Sequence, residues 1–241
     1  MRAVAHREKY QMTHSDEKLD GQSATRRVYE DIEVARAFTK KTLENRQIEV
    51  PPHLRTFAES LAGPRLIDLG CGPGIHAQQF ADLGFAVTAI DYSEAMIQIA
   101  RERSSRERSS SDNPAFLRLD MREIGTAFAA QSFDGAWISA SLIHVPESDV
   151  PTFLHDLHRI LTPSGRTRIS LKMGPQGPQM IHDDKYGIGI ERQFIFWQED
   201  NFAALLREAN FTIDHIETAQ GGMTGNSPTT WIIFSAHTNA G

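Results

Sequence analysis

The sequence predicts an α/β domain built on a doubly wound sheet of seven mostly parallel strands, the last of them antiparallel. A buried strand at residues 66–69 runs through three alternate glycines into a helical pattern that begins at Ile75. A second apolar strand follows this helix and ends in the acidic residue Asp91. Two further strands, at residues 211–217 and 229–236, are joined without a helix and must therefore pair antiparallel.

The composition indicates a single globular domain with a full core. The chain has 241 residues, of which 40% are hydrophobic and 23% are charged, and these values are ordinary for an α/β domain. Its net charge of −6 weighs against a nucleic acid as the main partner. No apolar run approaches the length of a membrane span, and Cys71 is the only cysteine. We therefore expect a cytoplasmic protein with no membrane segment and no intrachain disulfide.

The chain divides into a loose N-terminal arm at residues 1–25 and one domain at residues 26–241. The arm is predicted from its polar, aperiodic composition. Residues 26–62 carry apolar side chains at helical spacing, so we expect lid helices there. Tyr29 and Phe38 within them either close over the site or pack the helix on the sheet.

The glycine turn predicts a nucleotide site. Glycines at 70, 72 and 74 let a ligand approach the backbone, and the helix that follows offers free N–H groups. A dinucleotide fingerprint requires a third glycine at position 75, where this chain has Ile75. Asp68, two residues before the first glycine, would repel a pyrophosphate. It suits a ligand that is positively charged near the turn, such as the sulfonium and amino group of S-adenosylmethionine.

Residues 66–74 resemble the first motif of the class I S-adenosylmethionine-dependent methyltransferases. That motif is hydrophobic–hydrophobic–Asp/Glu–hydrophobic–Gly–x–Gly–x–Gly, and the chain matches it at every position. The resemblance runs from about Tyr29 to the C-terminus and is greatest with the small-molecule branch typified by quinone-biosynthesis enzymes. It implies a Rossmann-like methyltransferase fold. It also implies transfer of a methyl group from S-adenosylmethionine to an O, N or C atom of a small molecule, with S-adenosylhomocysteine as product.

Asp91 supports the same cofactor independently of the glycine turn. It lies 21 residues after Gly70, at the end of the second predicted strand. An acidic residue at this place accepts hydrogen bonds from both ribose hydroxyls. Tyr92 is then expected against the adenine. In relatives the position of Met96 often touches the adenine or ribose, although a helical methionine also serves simply as core.

The third predicted strand, residues 115–119, ends at Asp120. By resemblance Asp120 accepts a hydrogen bond from the adenine amino group and Met121 covers the ring, whereas Asp120 is also suited to cap the turn that follows. Relatives often place a cation near the methionine carboxylate, and Arg46 is the candidate here. The expected cofactor-binding residues are Asp68, Gly70, Cys71, Gly72, Gly74, Asp91, Tyr92, Met96, Asp120, Met121, Arg122, Ser139 and Arg46.

The fourth predicted strand ends at Ser139 and distinguishes subclasses of methyltransferase. Enzymes that methylate nucleic-acid amino groups carry Asn/Asp-Pro-Pro-Tyr/Phe there, and cytosine C5 enzymes carry Pro-Cys; this chain has neither. His144 follows and is the first candidate for a general base, although the equivalent histidine looks structural in many relatives. Tyr186 and His182 are the next candidates. No dedicated base is required if the acceptor ionises readily.

Residues 174–197 are rich in Gly and Pro and follow a strand, so we expect a substrate loop over the edge of the site. Residues 182–184 are His-Asp-Asp, but three consecutive ligands do not easily converge on one ion. His155 and His158 are three apart on a predicted helix, with no third ligand indicated. We therefore predict no metal site.

Three other readings of the sequence stay open. A nicotinamide-dependent enzyme would have to tolerate Ile75 in place of glycine, and the chain lacks a catalytic Tyr-x-x-x-Lys. A methyltransferase acting on RNA or protein would need a basic face around the site. A non-catalytic module would bind S-adenosylmethionine without turning it over. The acceptor and the oligomeric state are not indicated by any motif.

Overall fold

In the computed structural model the described residues are 21–44, 50–107, 113–183, 189–225 and 227–239, and they form one nine-stranded sheet with helices on both faces. The strands are β1 (Arg65–Leu69), β2 (Ala86–Asp91), β3 (Ala115–Arg118), β4 (Phe133–Ser139), β5 (Leu161–Met173), β6 (Gly177–Asp183), β7 (Ile190–Trp197), β8 (Phe211–Thr224) and β9 (Ser227–Thr238). The helices are α1 (Gly21–Glu30), α2 (Ile32–Glu44), α3 (Pro52–Glu59), α4 (Ile75–Asp82), α5 (Glu94–Glu107), α6 (Ile124–Ala127), α7 (Val150–Ile160) and α8 (Glu199–Glu208).

The order of the strands confirms the predicted fold class. Strands β3, β2, β1, β4 and β5 lie side by side and parallel. The last strand, β9, runs antiparallel to β5 and also pairs antiparallel with β8. The carboxyl ends of the parallel strands therefore meet at one edge of the sheet, where ligands bind in folds of this class.

The sheet has nine strands rather than the predicted seven, because two further strands pair within residues 174–197, where we predicted a loop. Strands β6 and β7 pair antiparallel along their whole lengths. Strand β7 also pairs parallel with the end of β5, at Lys172 and Met173. Buried and exposed side chains alternate along much of both strands, and this strand periodicity outweighs the Gly and Pro content on which the loop prediction rested.

Two apolar layers cover the sheet, one on each face. Leu66 packs with helices α3, α4 and α5, whereas its neighbour Ile67 packs with helices α7 and α8 on the opposite face. This alternation follows from the two-residue period of a strand. Both layers include residues of β1, β2 and β4, so these three strands are packed on both faces. No helix in the described segments is both long and apolar enough to cross a lipid bilayer.

Helices α1 and α2, called the lid below, fall largely within residues 26–62, where we predicted lid helices, but α1 begins earlier than the sequence indicated. Residues 21–25 are the first half of α1, so the predicted arm is wrong there, and residues 1–20 lie outside the described residues. Helix α1 is fixed to β7, since the Gln193 N–H donates to Thr25 Oγ1 at 2.6 Å. It is also fixed to the start of α5, since Ser93 Oγ donates to the carbonyl oxygen of Tyr29 at 2.7 Å.

Candidate active site

The turn after β1 shapes the floor of the site. The N–H groups of Gly70 and Cys71 both donate to the Ile90 carbonyl, at 2.8 and 2.9 Å, which ties the turn to β2. Gly72 has a left-handed φ of 52°, and a Cβ added there would meet no atom within 4 Å. A side chain at position 72 would therefore project into open space rather than into the protein, and that space is available to a ligand.

A cavity of about 290 Å³ opens above this turn, beneath the lid. The structure brings the predicted site residues together around it, although they come from four strand ends. The predicted residues that line it are Asp68, Gly70, Cys71, Gly72, Asp91, Tyr92, Met96, Asp120, Met121, Arg122, Ser139 and His144. Gly74 caps helix α4 beside the cavity and is not part of its wall. Arg46 lies outside the described residues.

Asp68 and Asp91 are two buried carboxyl groups on one wall of the cavity. Burial raises the pKa of Asp68 to about 8, and the neighbouring charge of Asp91 adds to this effect. Oδ2 of Asp68 is buried without a hydrogen-bond partner among the described residues. An unpaired buried carboxylate oxygen is costly, so this one favours a cationic or hydrogen-bonding ligand.

The two carboxyl oxygens of Asp91 accept hydrogen bonds from the glycine turn and from the residue that precedes α5. Its Oδ2 accepts from the Gly72 N–H and its Oδ1 from the Ser93 N–H, both at 2.9 Å. Burial raises the pKa of Asp91 to about 6, although these two hydrogen bonds oppose the rise. A carboxylate oxygen has lone pairs for more than one donor, so Asp91 still has capacity for hydroxyl groups of a ligand.

Asp120 is engaged by two arginines instead of being free. Arg26 of helix α1 donates to its Oδ2 at 2.6 Å, and the Arg122 side chain donates to both of its oxygens. Burial alone would raise the pKa of Asp120, but the hydrogen bonds from Arg122 and Arg26 outweigh it and lower the pKa to about 2. The Arg26 guanidinium also lies 4.6 Å from the centroid of the Tyr92 ring. One lid side chain therefore holds both groups expected to recognise adenine.

His144 belongs to a hydrogen-bonded chain that joins the lid to β7. Its Nδ1 lies 3.1 Å from the carbonyl oxygen of Gln193, which can only accept, so Nδ1 carries the proton. Its Nε2 then accepts from the Tyr29 hydroxyl at 3.3 Å. Arg192 Nη1 donates to the same hydroxyl at 2.6 Å, and Arg192 is itself paired with the buried Asp183.

The same environment keeps His144 neutral. Burial lowers its pKa to about 3, and the charge of Arg192 adds to the effect while the Gln193 carbonyl opposes it. Of the other two candidate bases, His182 lies exposed on β6 and does not line the cavity, and Tyr186 falls outside the described residues. Across the described segments, no three His, Cys, Asp or Glu side chains are grouped to hold a metal ion.

The segment from Ser139 to Ser141, where β4 ends, forms another wall of the cavity. Ser141 Oγ donates to the Leu69 carbonyl at 2.6 Å, and the Ala140 N–H donates to Ser170 Oγ at 2.9 Å. Ala140 has a left-handed φ of 55°, a conformation that is costly for any residue with a Cβ. Such strain is typical of functional sites.

Sequence reasoning missed most of the lid side chains that line the cavity. Gln22, Thr25 and Arg26 line it together with Tyr29, and the four are spaced i, i+3, i+4 and i+7, so they share one face of α1. The predicted start of the lid at residue 26 excluded Gln22 and Thr25, whereas Arg26 lies within the predicted lid but belongs to no motif that pointed to the site.

The residues present fit S-adenosylmethionine. The unpaired oxygen of Asp68 suits its amino group, and Asp91 suits its ribose hydroxyls. The open space beside Gly72 permits close approach of the ligand to the backbone. These are properties of the cavity itself and do not depend on the resemblance of the sequence motif.

Comparison with known proteins agrees with the geometry. Residues 66–165 match the model of a methyltransferase domain family. A putative methyltransferase of Bacillus subtilis (strain 168) is 38% identical over 136 residues, which are 56% of this chain and 53% of that protein. A ubiquinone biosynthesis O-methyltransferase of Xanthomonas oryzae pv. oryzae is 33% identical over 110 residues, 46% of this chain and 44% of that one. The chain spans about half the length of these curated relatives.

Solved structures agree with the fold over a longer stretch. A 1,6-didemethyltoxoflavin-N1-methyltransferase of Burkholderia thailandensis, crystallised with 1,6-didemethyltoxoflavin and S-adenosylhomocysteine, has a TM-score of 0.68 at 20% identity and covers 93% of each chain. An S-adenosylmethionine-dependent methyltransferase of Methanosarcina mazei has a TM-score of 0.65 at 21% identity, covering 80% of this chain and all of that one. The resemblance noted in the sequence is confirmed at this level: residues 66–165 match a methyltransferase domain family, and the chain shares the fold of solved S-adenosylmethionine-dependent methyltransferases.

Proposed function

We propose that this protein transfers the methyl group of S-adenosylmethionine to an O, N or C atom of a small molecule. The proposal rests on two buried carboxyl groups that line one cavity. Asp68 has an oxygen without a partner, and Asp91 is hydrogen-bonded to the glycine turn. The small-molecule class is supported by the relatives, two of which are named for ubiquinone biosynthesis and for 1,6-didemethyltoxoflavin. The cytoplasmic location and the absence of a nucleic-acid partner, both expected from the sequence, stay predictions.

The proposed cofactor contacts follow from position in the cavity. Asp91 accepts from the ribose hydroxyls and Asp68 faces the amino group of the methionine moiety. Tyr92 and Met121 enclose the adenine, and Asp120 accepts from its amino group once Arg26 has moved. The remaining proposed contacts are Gly70, Cys71, Gly72, Met96, Arg122 and Ser139, with Gly74 shaping the turn.

The chemistry requires mainly alignment by the protein. S-adenosylmethionine supplies a methyl group that is already electrophilic, because it is bonded to a sulfonium. The residues of the chain bind the acceptor, orient it in line and exclude water, and such positioning is worth up to roughly 7–11 kcal/mol. The lid residues Tyr29 and Arg26 lie over the cavity and exclude water from it.

A general-base role for His144 stays a prediction, and two observations weigh against it. Both of its ring nitrogens are already engaged, by Gln193 and Tyr29. Its pKa of about 3 makes it a poor proton acceptor near neutral pH. We propose instead that His144 positions the Tyr29 side chain of the lid, and that the acceptor loses its proton to solvent or arrives ionised.

The test is calorimetric titration of the purified chain with S-adenosylmethionine and S-adenosylhomocysteine. We expect saturable binding of both ligands, lost in Asp91→Ala and kept in Asp200→Ala, which removes an exposed carboxylate at the start of α8. Absence of binding by a folded sample would refute the proposal. Binding without methyl transfer to any member of a small-molecule library would instead favour the non-catalytic module.

A further inference from the structure

His76 lines the cofactor cavity but is not among the cofactor contacts proposed above. It is the second residue of α4, the helix that follows the glycine turn. The indole N–H of Trp137, on β4, donates to His76 Nδ1 at 3.2 Å. An indole N–H can only donate, so Nδ1 is the acceptor and the neutral imidazole carries its proton on Nε2. His76 therefore has its hydrogen-bond donor at Nε2.

Trp137 keeps the imidazole of His76 in this orientation. The Trp137 side chain is buried, and its ring packs against Phe57 and Phe80, with 5.3 Å between the centroids in each pair. The imidazole meets the indole edge-on, with centroids 5.6 Å apart and planes at 75°. A buried donor that loses its partner is costly, so the bond to Nδ1 is retained and the proton stays on Nε2.

Two separate contacts place His76 beside Asp68. In the sheet, Asp68 of β1 is the direct register partner of Trp137 of β4, so their side chains leave the same face of the sheet as neighbours. In α4, the N–H of Ala77, the residue after His76, is hydrogen-bonded to the Asp68 carboxyl. The imidazole donor and the unpaired Oδ2 of Asp68 therefore lie close together in the wall of one cavity.

The methionine moiety of S-adenosylmethionine carries an ammonium and a carboxylate on one carbon atom. The proposed contact of the ammonium with Asp68 therefore brings the carboxylate into the same part of the cavity. Two carboxylates at short distance repel each other, so the carboxylate of the ligand needs a hydrogen-bond donor there. Arg26 and Arg122 line the cavity but are both bound to Asp120, at the end proposed for adenine.

Two hydroxyl groups that line the same cavity donate elsewhere. Thr42 Oγ1 donates to the Phe38 carbonyl at 2.8 Å, and Ser141 Oγ donates to the Leu69 carbonyl at 2.6 Å. The start of α4, in contrast, favours an anion, because the N-terminal end of a helix carries a partial positive charge. The imidazole donor on the second residue of this helix acts in the same direction as that charge.

We propose that His76 is a further cofactor-binding residue, whose Nε2–H donates to the carboxylate of the methionine moiety. Asp68 and His76 then form a matched acceptor and donor for an α-amino acid group. Arg46, the candidate for this role from the sequence, lies outside the described residues. The proposal rests on the proposed function, because it adds a residue to the same cofactor site.

The experiment compares two ligands that differ in one group. They are S-adenosylhomocysteine and decarboxylated S-adenosylhomocysteine, in which a hydrogen atom replaces the carboxylate. Each is titrated calorimetrically into the unaltered chain, His76→Ala, His76→Gln and His53→Ala. Glutamine restores an N–H donor near the position of Nε2. His53→Ala is the matched control, because His53 stacks on Trp137 with 6.0 Å between ring centroids but does not line the cavity.

We expect His76→Ala to weaken S-adenosylhomocysteine binding by about 10- to 100-fold, the usual effect of losing a hydrogen bond to a charged group. Binding of the decarboxylated ligand should change by less than about twofold, which also shows that the variant is folded. His76→Gln should recover most of the lost affinity. His53→Ala should leave the affinities for both ligands unchanged.

Two results would overturn the assignment. One is that His76→Ala binds S-adenosylhomocysteine as tightly as the unaltered chain does. The other is that His76→Ala weakens both ligands equally, which would mean that His76 only supports the shape of the cavity. In either case the proposed function stands, because the unaltered chain still binds the cofactor product. If the unaltered chain binds neither ligand, the proposed function fails and this inference fails with it.

Discussion

Replacing Arg26 by alanine should strengthen cofactor binding, although Arg26 lines the cofactor cavity. In the ligand-free chain Arg26 is paired with Asp120 at 2.6 Å and lies 4.6 Å from the Tyr92 ring centroid. We propose that adenine uses the same two groups. The cofactor must then displace Arg26 from both contacts, and the cost of that displacement is subtracted from its affinity.

The magnitude follows from those two contacts. The Arg26 side chain is 38% exposed, so its ion pair with Asp120 is screened and is worth about 1 kcal/mol at most. A partly exposed cation–π contact is worth about 0.5–1 kcal/mol. Together the two contacts are worth about 0.5–2 kcal/mol, and since 1.4 kcal/mol corresponds to a factor of ten, removal of both should tighten S-adenosylhomocysteine binding by roughly 2- to 30-fold.

Calorimetric titration with S-adenosylhomocysteine is the assay, at low and at moderate salt. Arg27→Ala is the matched control, because Arg27 is the next residue of the same helix but is exposed and does not line the cavity. The advantage of Arg26→Ala over the unaltered chain should shrink as salt rises, since salt weakens the ion pair. Equal affinity would mean that Arg26 does not compete with the cofactor, and weaker binding would mean that it helps to hold it; either result refutes the reasoning.

Three further outcomes are expected. Tyr29→Phe should lower the free energy of unfolding by about 1–3 kcal/mol, because it removes the hydroxyl that contacts His144 and Arg192 and leaves these buried groups without that partner. Tyr92→Phe should leave the free energy of unfolding nearly unchanged, because the Tyr92 hydroxyl is buried with no partner in the described structure; urea unfolding measures both variants. Gly72→Ala should lower the free energy of unfolding by about 1–2 kcal/mol yet abolish S-adenosylhomocysteine binding. Gly74→Ala should lower the free energy of unfolding more, since its Cβ would lie 2.6 Å from a ring carbon of Phe116. A Gly72→Ala variant less stable than Gly74→Ala would contradict this prediction. Affinity for S-adenosylhomocysteine should rise from pH 5 to about pH 9 and then level, because the ionised forms of Asp91 and Asp68, whose pKa values are about 6 and about 8, are the ones that bind. Asp68→Asn should remove the upper part of the rise, and an unchanged profile would count against an ionised Asp68 in binding.

The parts of the site that were predictable from the sequence are those set by local chain geometry. The glycine turn and Asp91 follow from spacing alone, since one helix and one strand separate them. Gly70, Gly72 and Asp91 line the cavity, as do Asp120 and Met121 after the end of β3. Each lies within three residues of a strand end, and strand ends are visible in the hydrophobic pattern.

The parts that were missed depend on contacts between distant segments. Arg26 meets Asp120 across 94 residues of sequence and Arg192 meets Tyr29 across 163, and neither pair has a local signal. Residues 174–197 were predicted to be a loop because residues 174–189 are rich in Gly and Pro. The pairing of β7 with the end of β5 is a tertiary contact, and tertiary contacts override composition of this kind.

The attachments of helix α1 have a consequence for the kinetics of cofactor exchange. Within two turns the helix is tied to three separate segments: through Arg26 to Asp120, through Thr25 to β7, and through the Tyr29 carbonyl to the start of α5. Even when the cofactor displaces Arg26, the bonds through Thr25 and the Tyr29 carbonyl still hold the same two turns of helix, so we expect the helix to open as a cooperative unit. Amide hydrogens protected by the lid should therefore exchange with one common opening free energy, and the residence time of a bound ligand will be set by that single event.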